Sequence, residues 1–92
     1  MLRTISVLAL LFAAPTAALA DRAAADECAK GLSGEALKTY RAGIKLVEQN
    51  RTLEQAVRSY LEPLYNAGKI TEAEGRKIGE AAANCMRLVH RK

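Results

Sequence analysis

Apolar residues recur every three or four positions along much of the chain, which is the spacing of one face of an α-helix. No segment alternates between apolar and polar residues as a β-strand would. The first stripe of this kind comprises Leu37, Tyr40, Ile44 and Val47. The second comprises Leu53, Val57, Tyr60, Leu61 and Leu64, and the third Ile78, Ala81, Ala82, Cys85, Leu88 and Val89. The pattern predicts three helices that each bury one face.

Residues at the ends of these stripes are typical of helix termini. Ser33 is a favoured N-cap residue, and Leu32 with Leu37 has the spacing of a hydrophobic staple. Asn50 can adopt the left-handed backbone conformation that commonly ends a helix, so it is a plausible end of the same helix. The sequence therefore predicts a helix that begins after Ser33 and stops near Asn50.

Two further helices begin with a capping-box sequence. Thr52 is followed by Gln55 at the third helical position, and Thr71 is followed by Glu74 in the same way. Gly68 ends the helix between the two boxes. Because Pro63 lacks a backbone donor, we expect that helix either to kink there or to break near Glu62.

The amino-terminal segment has the three parts of a secretory signal peptide. Arg3 supplies a positive charge, residues 5–14 are largely apolar, and Ala18-Leu19-Ala20 offers small residues before a cut at Asp21. A membrane anchor is the alternative, but a spanning helix needs about 20 apolar residues, and Pro15 ends this run early. We predict a signal peptide at 1–20, a mature chain without a transmembrane segment, and a periplasmic or secreted location.

The mature chain, residues 21–92, is predicted to be one helical domain. Residues 21–30 are Ala-rich and precede Gly31, which predicts a short first helix. Loss of Arg3 lowers the net charge from +4 to about +3, which suggests no particular partner. So short a chain buries little apolar surface. The expected fold is all-α: a small bundle of about four helices.

Two cysteines, Cys28 and Cys85, are predicted to form a disulfide bond that closes this bundle. An even number of cysteines in an exported chain indicates pairing. The loop closed by this bond would stabilise the fold by about 4 kcal/mol through the unfolded state. A redox-active or metal-binding pair would favour close spacing, such as Cys-x-x-Cys, which the chain lacks.

No pattern of residues indicates catalysis, a metal or a cofactor. The one histidine, His90, lies three residues from the end among basic residues, where a solvated helix terminus explains it better than acid–base catalysis. Glu72 and Glu74 fit the first turn of a helix, where acids are favourable. Two paired cysteines leave too few ligands for zinc. We predict that the protein is not an enzyme.

One surface feature suggests a partner. Lys38, Arg41 and Lys45 are spaced at i, i+3 and i+7, so that they form a basic ridge on one helix. A solvated face is the simpler interpretation, but like charges at this spacing repel slightly, and an acidic ligand would relieve that repulsion. Nucleic acid or a membrane surface would need a denser basic patch. The ridge therefore favours an envelope protein with an acidic surface.

Several caps, core positions and both cysteines resemble those of a family of small secreted helical proteins from alphaproteobacteria. The resemblance covers nearly all of the mature chain and implies the fold and the location but no activity. It rests on Cys28, Gly31, Leu32, Ser33, Ala36, Tyr40, Leu53, Val57, residues 68–71 and residues 81–85.

Two functions are compatible with these features. The first is a binding or interaction module in the cell envelope. The second is an acid- or stress-activated periplasmic chaperone, because the plan is similar to that of the small periplasmic acid chaperones. The sequences around the cysteines do not match that family closely. Protonation of ten carboxylates at low pH would leave a large positive charge that could loosen a marginal domain.

Overall fold

A computed structural model describes residues 17–89, with side chains from residue 20 onward. The described residues form four helices: α1 (Ala17–Ala29), α2 (Gly34–Glu48), α3 (Leu53–Asn66) and α4 (Glu72–Met86). They contain no strand. The predicted all-α bundle of four helices is confirmed. Most of the predicted signal peptide and His90 lie outside the described residues.

Both predicted capping boxes are present. The Thr52 hydroxyl accepts a hydrogen bond from the Gln55 backbone at 3.0 Å, and the Gln55 side chain accepts one from the Thr52 backbone at 3.1 Å. The corresponding distances between Thr71 and Glu74 are 3.1 and 2.8 Å. These bonds satisfy backbone donors that the first turn of a helix leaves unpaired.

The ends of α2 and α3 also follow the sequence. Asn50 adopts φ 67° and Gly68 adopts φ 76°, which is the left-handed conformation expected after a helix. Ser33 occupies the N-cap position of α2, but its side chain makes no capping hydrogen bond. The predicted start of the helix is therefore confirmed, with Ser33 as its N-cap residue.

Two helix boundaries differ from the prediction. Helix α1 begins at Ala17 and so extends across the predicted cleavage site, whereas the composition indicated a start at Asp21. Helix α3 continues through Pro63 to Asn66, so of the two alternatives expected there, a kink or a break near Glu62, the break does not occur. Pro63 lies close to the carboxyl end of α3, where a missing backbone donor removes only one hydrogen bond of the last turn.

Helix α2 packs against both α3 and α4, α3 packs against α4, and α1 packs against α4. The centre is formed mostly by small side chains around Ile44, Val47 and Met86. Its buried members are Ala25, Ala29, Tyr40, Ile44, Val47, Ala56, Ala82, Cys85 and Met86. Several large aliphatic residues of the predicted apolar stripes, among them Leu37, Leu53 and Leu64, are only partly buried. The chain therefore relies on close helix contact rather than on bulky side chains.

A disulfide bond joins Cys28 of α1 to Cys85 of α4 across 57 positions of sequence, with Cα atoms 5.4 Å apart. The Cys28 residue is exposed, whereas Cys85 is 2% exposed. The predicted pairing and the inward position of Cys85 are confirmed. None of the helices within residues 17–89 combines the length and apolar character needed to cross a membrane.

Candidate binding cleft between the first two helices

A cleft of about 460 Å³ lies between α1 and α2. Apolar side chains form part of its wall, and charged side chains form the rest. The apolar and aromatic members are Ala29, Leu32, Leu37, Tyr40 and Ile44. The charged members are Arg22, Asp26, Lys30, Arg41 and Lys45. The cleft therefore combines an apolar surface with four cations and one carboxylate.

A hydrogen-bonded network holds α1 beside α2 at this cleft. The buried Tyr40 hydroxyl of α2 donates to Asp26 Oδ1 of α1 at 2.7 Å. Arg22 of α1 pairs with the same Asp26 oxygen at 3.0 Å and with Glu48 Oε1 of α2 at 2.7 Å. These contacts and the disulfide bond fix α1 in the position that forms one side of the cleft.

The contacts of this network shift the pKa values of Asp26, Tyr40 and Arg22. The hydrogen bond from Tyr40 and then the Arg22 guanidinium lower the pKa of the Asp26 carboxyl. Burial, together with the bond to Asp26, raises the pKa of the Tyr40 phenol. The carboxylates of Glu48 and Asp26 raise the pKa of Arg22. Asp26 is therefore an anion at neutral pH, and its charge is already engaged by these two partners.

The cations at the cleft fall into two groups. Arg22 is engaged in the network, and Lys30 pairs with Glu27 at 3.0 Å. The side chains of Arg41 and Lys45 are exposed and make no ion pair with any described residue. These two side chains are therefore available to an anionic ligand.

The predicted basic ridge is only partly at this site. Arg41 and Lys45 line the cleft, whereas Lys38 is exposed on α2 but is not among the residues that line it. The structure therefore brings two of the three ridge residues to an apolar surface.

Sequence reasoning missed the contribution of α1 to the cleft. Arg22 and Asp26 are four residues apart, which is a recognisable helical ion pair. Their contacts with Tyr40 and Glu48 depend on how α1 lies against α2, and helical spacing within each segment does not specify that. Residue spacing could have found the local pair but not the network.

The remaining candidate groups for metal binding or acid–base chemistry in the described part of the chain are dispersed or already paired. Within residues 17–89, no three side chains of the His, Cys, Asp and Glu types are grouped to hold a metal ion. Glu74 is occupied in its capping box, and Glu72 pairs with Arg76 at 3.3 Å.

Comparison with known proteins found no family model, no curated protein and no solved structure that matches the chain.

Proposed function

We propose that the protein is an exported binding module of the cell envelope, and that the cleft between α1 and α2 receives an acidic segment of a partner protein. The observation that carries this proposal is the position of Arg41 and Lys45. Both cations lack an ion-pair partner among the described residues, and both border an apolar surface.

The two parts of the cleft would contribute differently to binding. Leu32 and Leu37, both only partly buried, offer apolar surface, whose removal from water supplies most of the affinity of a typical site. Arg41 and Lys45 would select an acidic segment and accelerate its approach. A volume of about 460 Å³ lies within the range of about 300–1,000 Å³ for ligand sites and could hold a few partner side chains.

The disulfide bond supports the proposed location. Such bonds persist in oxidising compartments, including the bacterial periplasm, and are rare in the cytosol. The Cys28–Cys85 bond also fixes α1 against α4, and α1 provides one side of the cleft. Export and binding are therefore linked, since oxidation stabilises the arrangement that forms the site.

A charge-reversal experiment tests the proposal. The oxidised protein, immobilised, would be exposed to an envelope extract beside the double variant Arg41→Glu/Lys45→Glu. Lys69→Glu/Lys77→Glu is the matched control, because it makes the same change of charge at exposed positions outside the cleft.

We expect an acidic protein to bind the wild type and the control but not the cleft variant. Its retention should fall as salt rises, since screening weakens exposed charge contacts. If wild type and cleft variant retain the same proteins, or if retention does not depend on salt, the cleft is not the binding site.

A second candidate function, an acid-activated chaperone, is favoured by the carboxylates that connect helices. Asp26 and Glu48 join α1 to α2, and Glu35 of α2 accepts a 2.8 Å hydrogen bond from Tyr60 of α3. Protonation of Asp26 and Glu48 would weaken their ion pairs with Arg22, while the net positive charge of the chain rises. Helix α1, still joined to α4 by the disulfide bond, is then expected to separate from α2 and expose apolar surface.

The chaperone candidate has a direct assay. Aggregation of an acid-sensitive client protein would be followed by light scattering near pH 2–3, with and without the oxidised protein. Suppression at acid pH but not at neutral pH supports this function. Equal aggregation with and without the protein excludes it.

A further inference from the structure

Large apolar side chains on α3, α4 and the turn between them are left outside the main core. Leu61, Leu64, Ile70 and Ile78 do not belong to the core cluster, and the last three are only partly buried. Tyr65 is 51% exposed, and no other large hydrophobic side chain of the described residues is exposed. This end of the bundle therefore leaves bulky apolar side chains partly accessible to solvent.

Part of this surface forms a groove of about 660 Å³ on the outer side of α3 and α4. Its apolar and aromatic lining is formed by Val57, Leu61, Tyr65 and Ile70. The groove is lined by neither α1 nor α2. It is thus separate from the proposed binding cleft.

Charges of both signs surround the groove. Arg58 pairs with Glu54 and with Glu62, each at 3.1 Å, and Arg76 pairs with Glu72 at 3.3 Å. Three carboxylates against two guanidinium groups leave this rim close to neutral, although the whole chain carries +4. The α1–α2 cleft, in contrast, has four cations and one carboxylate.

We propose that this groove is the interface between two copies of the chain, related by a two-fold axis. In such an interface the same patch occurs on both sides, and a rim whose charges are balanced by its own ion pairs can face a copy of itself without net like-charge repulsion. Two copies of a cationic protein repel each other least where the local charge is balanced. A strongly acidic or basic partner gains little from a neutral rim.

The small size of the domain gives the second reason for a second copy. Chains of this length bury a small share of their surface, and association is one common way to bury more. A second copy would cover Tyr65 and Ile70 without using the residues of the cleft. The dimer would therefore present two binding clefts at once, and its existence does not depend on what the cleft binds.

The mass of the oxidised protein in solution tests this interface. Sedimentation equilibrium over protein concentrations up to about 1 mM should show a reversible change from one chain to two. A protein that remains a single chain throughout overturns the proposal. Growth beyond two chains also overturns it. A two-fold interface is complete with two copies, whereas contact between the groove of one copy and the cleft of the next would continue to add chains.

Substitution then locates the contact. Tyr65→Glu, at a half-exposed position, should raise the dissociation constant of the dimer at least about tenfold. Ala24→Glu is the matched control, since it adds the same charge to an exposed position of α1. If both variants dimerise like the wild type, the groove is not the interface.

A second measurement removes any dependence on the folding of the variants. Amide resonances of the wild-type protein would be recorded over a dilution series. We expect the largest concentration-dependent shifts at Tyr65, Ile70 and their neighbours. Shifts confined to α1 and α2 would contradict the proposal.

Discussion

Replacement of Gly43 by alanine should destabilise the protein, although alanine is the better helix former. Gly43 is buried in α2 at the point where α3 and α4 meet it. A Cβ atom there would lie 2.7 Å from Met86 Cε and 2.8 Å from the backbone oxygen of Ala56. The first neighbour can rotate away, but the second belongs to the backbone of α3. Helices α2 and α3 must therefore move apart to accommodate the variant.

The magnitude follows from two opposing effects. Alanine in a helix interior gains about 1 kcal/mol over glycine. Inserting a methyl group into a packed contact costs about 1–3 kcal/mol, and we expect the upper part of this range because backbone must shift. The net loss for Gly43→Ala is then about 1–2 kcal/mol. At about 4–8 °C per kcal/mol for a domain of this size, the melting temperature should fall by roughly 4–16 °C.

Thermal unfolding followed by circular dichroism would measure this loss in the oxidised protein. Gly75→Ala is the matched control, because Gly75 also lies inside a helix and its Cβ would be 3.5 Å from Ile70 Cδ1, an ordinary contact. The control should melt at or above the wild-type temperature. A Gly43→Ala variant that is as stable as Gly75→Ala would refute the close contact between α2 and α3.

Three other predictions concern the caps, the disulfide bond and acid. Thr52→Ala should lower the free energy of unfolding by about 1 kcal/mol, because it removes a capping hydrogen bond. Ser33→Ala should have little effect, because the Ser33 side chain makes no capping hydrogen bond. Urea titration of the two variants would measure this difference in unfolding free energy. Removal of the disulfide bond between Cys28 and Cys85 should lower the free energy of unfolding by up to about 4 kcal/mol. The loss would be measured as a lower midpoint of urea unfolding, and an unchanged midpoint would contradict the prediction. The pKa of the Asp26 carboxyl is lower in the folded state than in the unfolded state. Its charge therefore stabilises the fold at pH values above the unfolded-state pKa, and this stabilisation is lost as the pH falls through the folded-state pKa. Asp26→Asn should therefore lose less thermal stability than wild type between pH 5 and pH 2, and equal losses would exclude this role.

The helices were predictable from the sequence because their signals are local. The boxes at Thr52 and Thr71 and the left-handed stops at Asn50 and Gly68 each depend on residues within a few positions of one another. Because the chain has only two cysteines, their pairing has no alternative within the chain. These features fixed the fold class and the number of helices.

The packing between helices was not predictable in the same way. The importance of Gly43 depends on Ala56 and Met86, which are distant in sequence and meet only in the folded bundle. The burial predicted for the apolar stripes was overstated, because small residues at the centre allow the helices to approach and leave Leu64 and Ile78 only partly buried.

The same distinction applies to the candidate site. The spacing of Lys38, Arg41 and Lys45 indicated a basic ridge, but not that the last two would border an apolar cleft. That arrangement requires α1, which the Cys28–Cys85 bond and its polar contacts with α2 hold in place. The residue spacing of a single helix can reveal a basic ridge, whereas a cleft depends on how two helices pack against each other.

The proposed binding role depends most on export followed by oxidation, because the oxidised state holds α1 where the cleft is formed. Intact mass spectrometry of the protein from the periplasmic fraction of a Gram-negative host tests this directly. We predict a chain that begins at Asp21 and is two hydrogen atoms lighter than its fully reduced form. A chain that still begins at Met1, or one in which Cys28 and Cys85 are both free thiols, would contradict the proposed location and the binding role together.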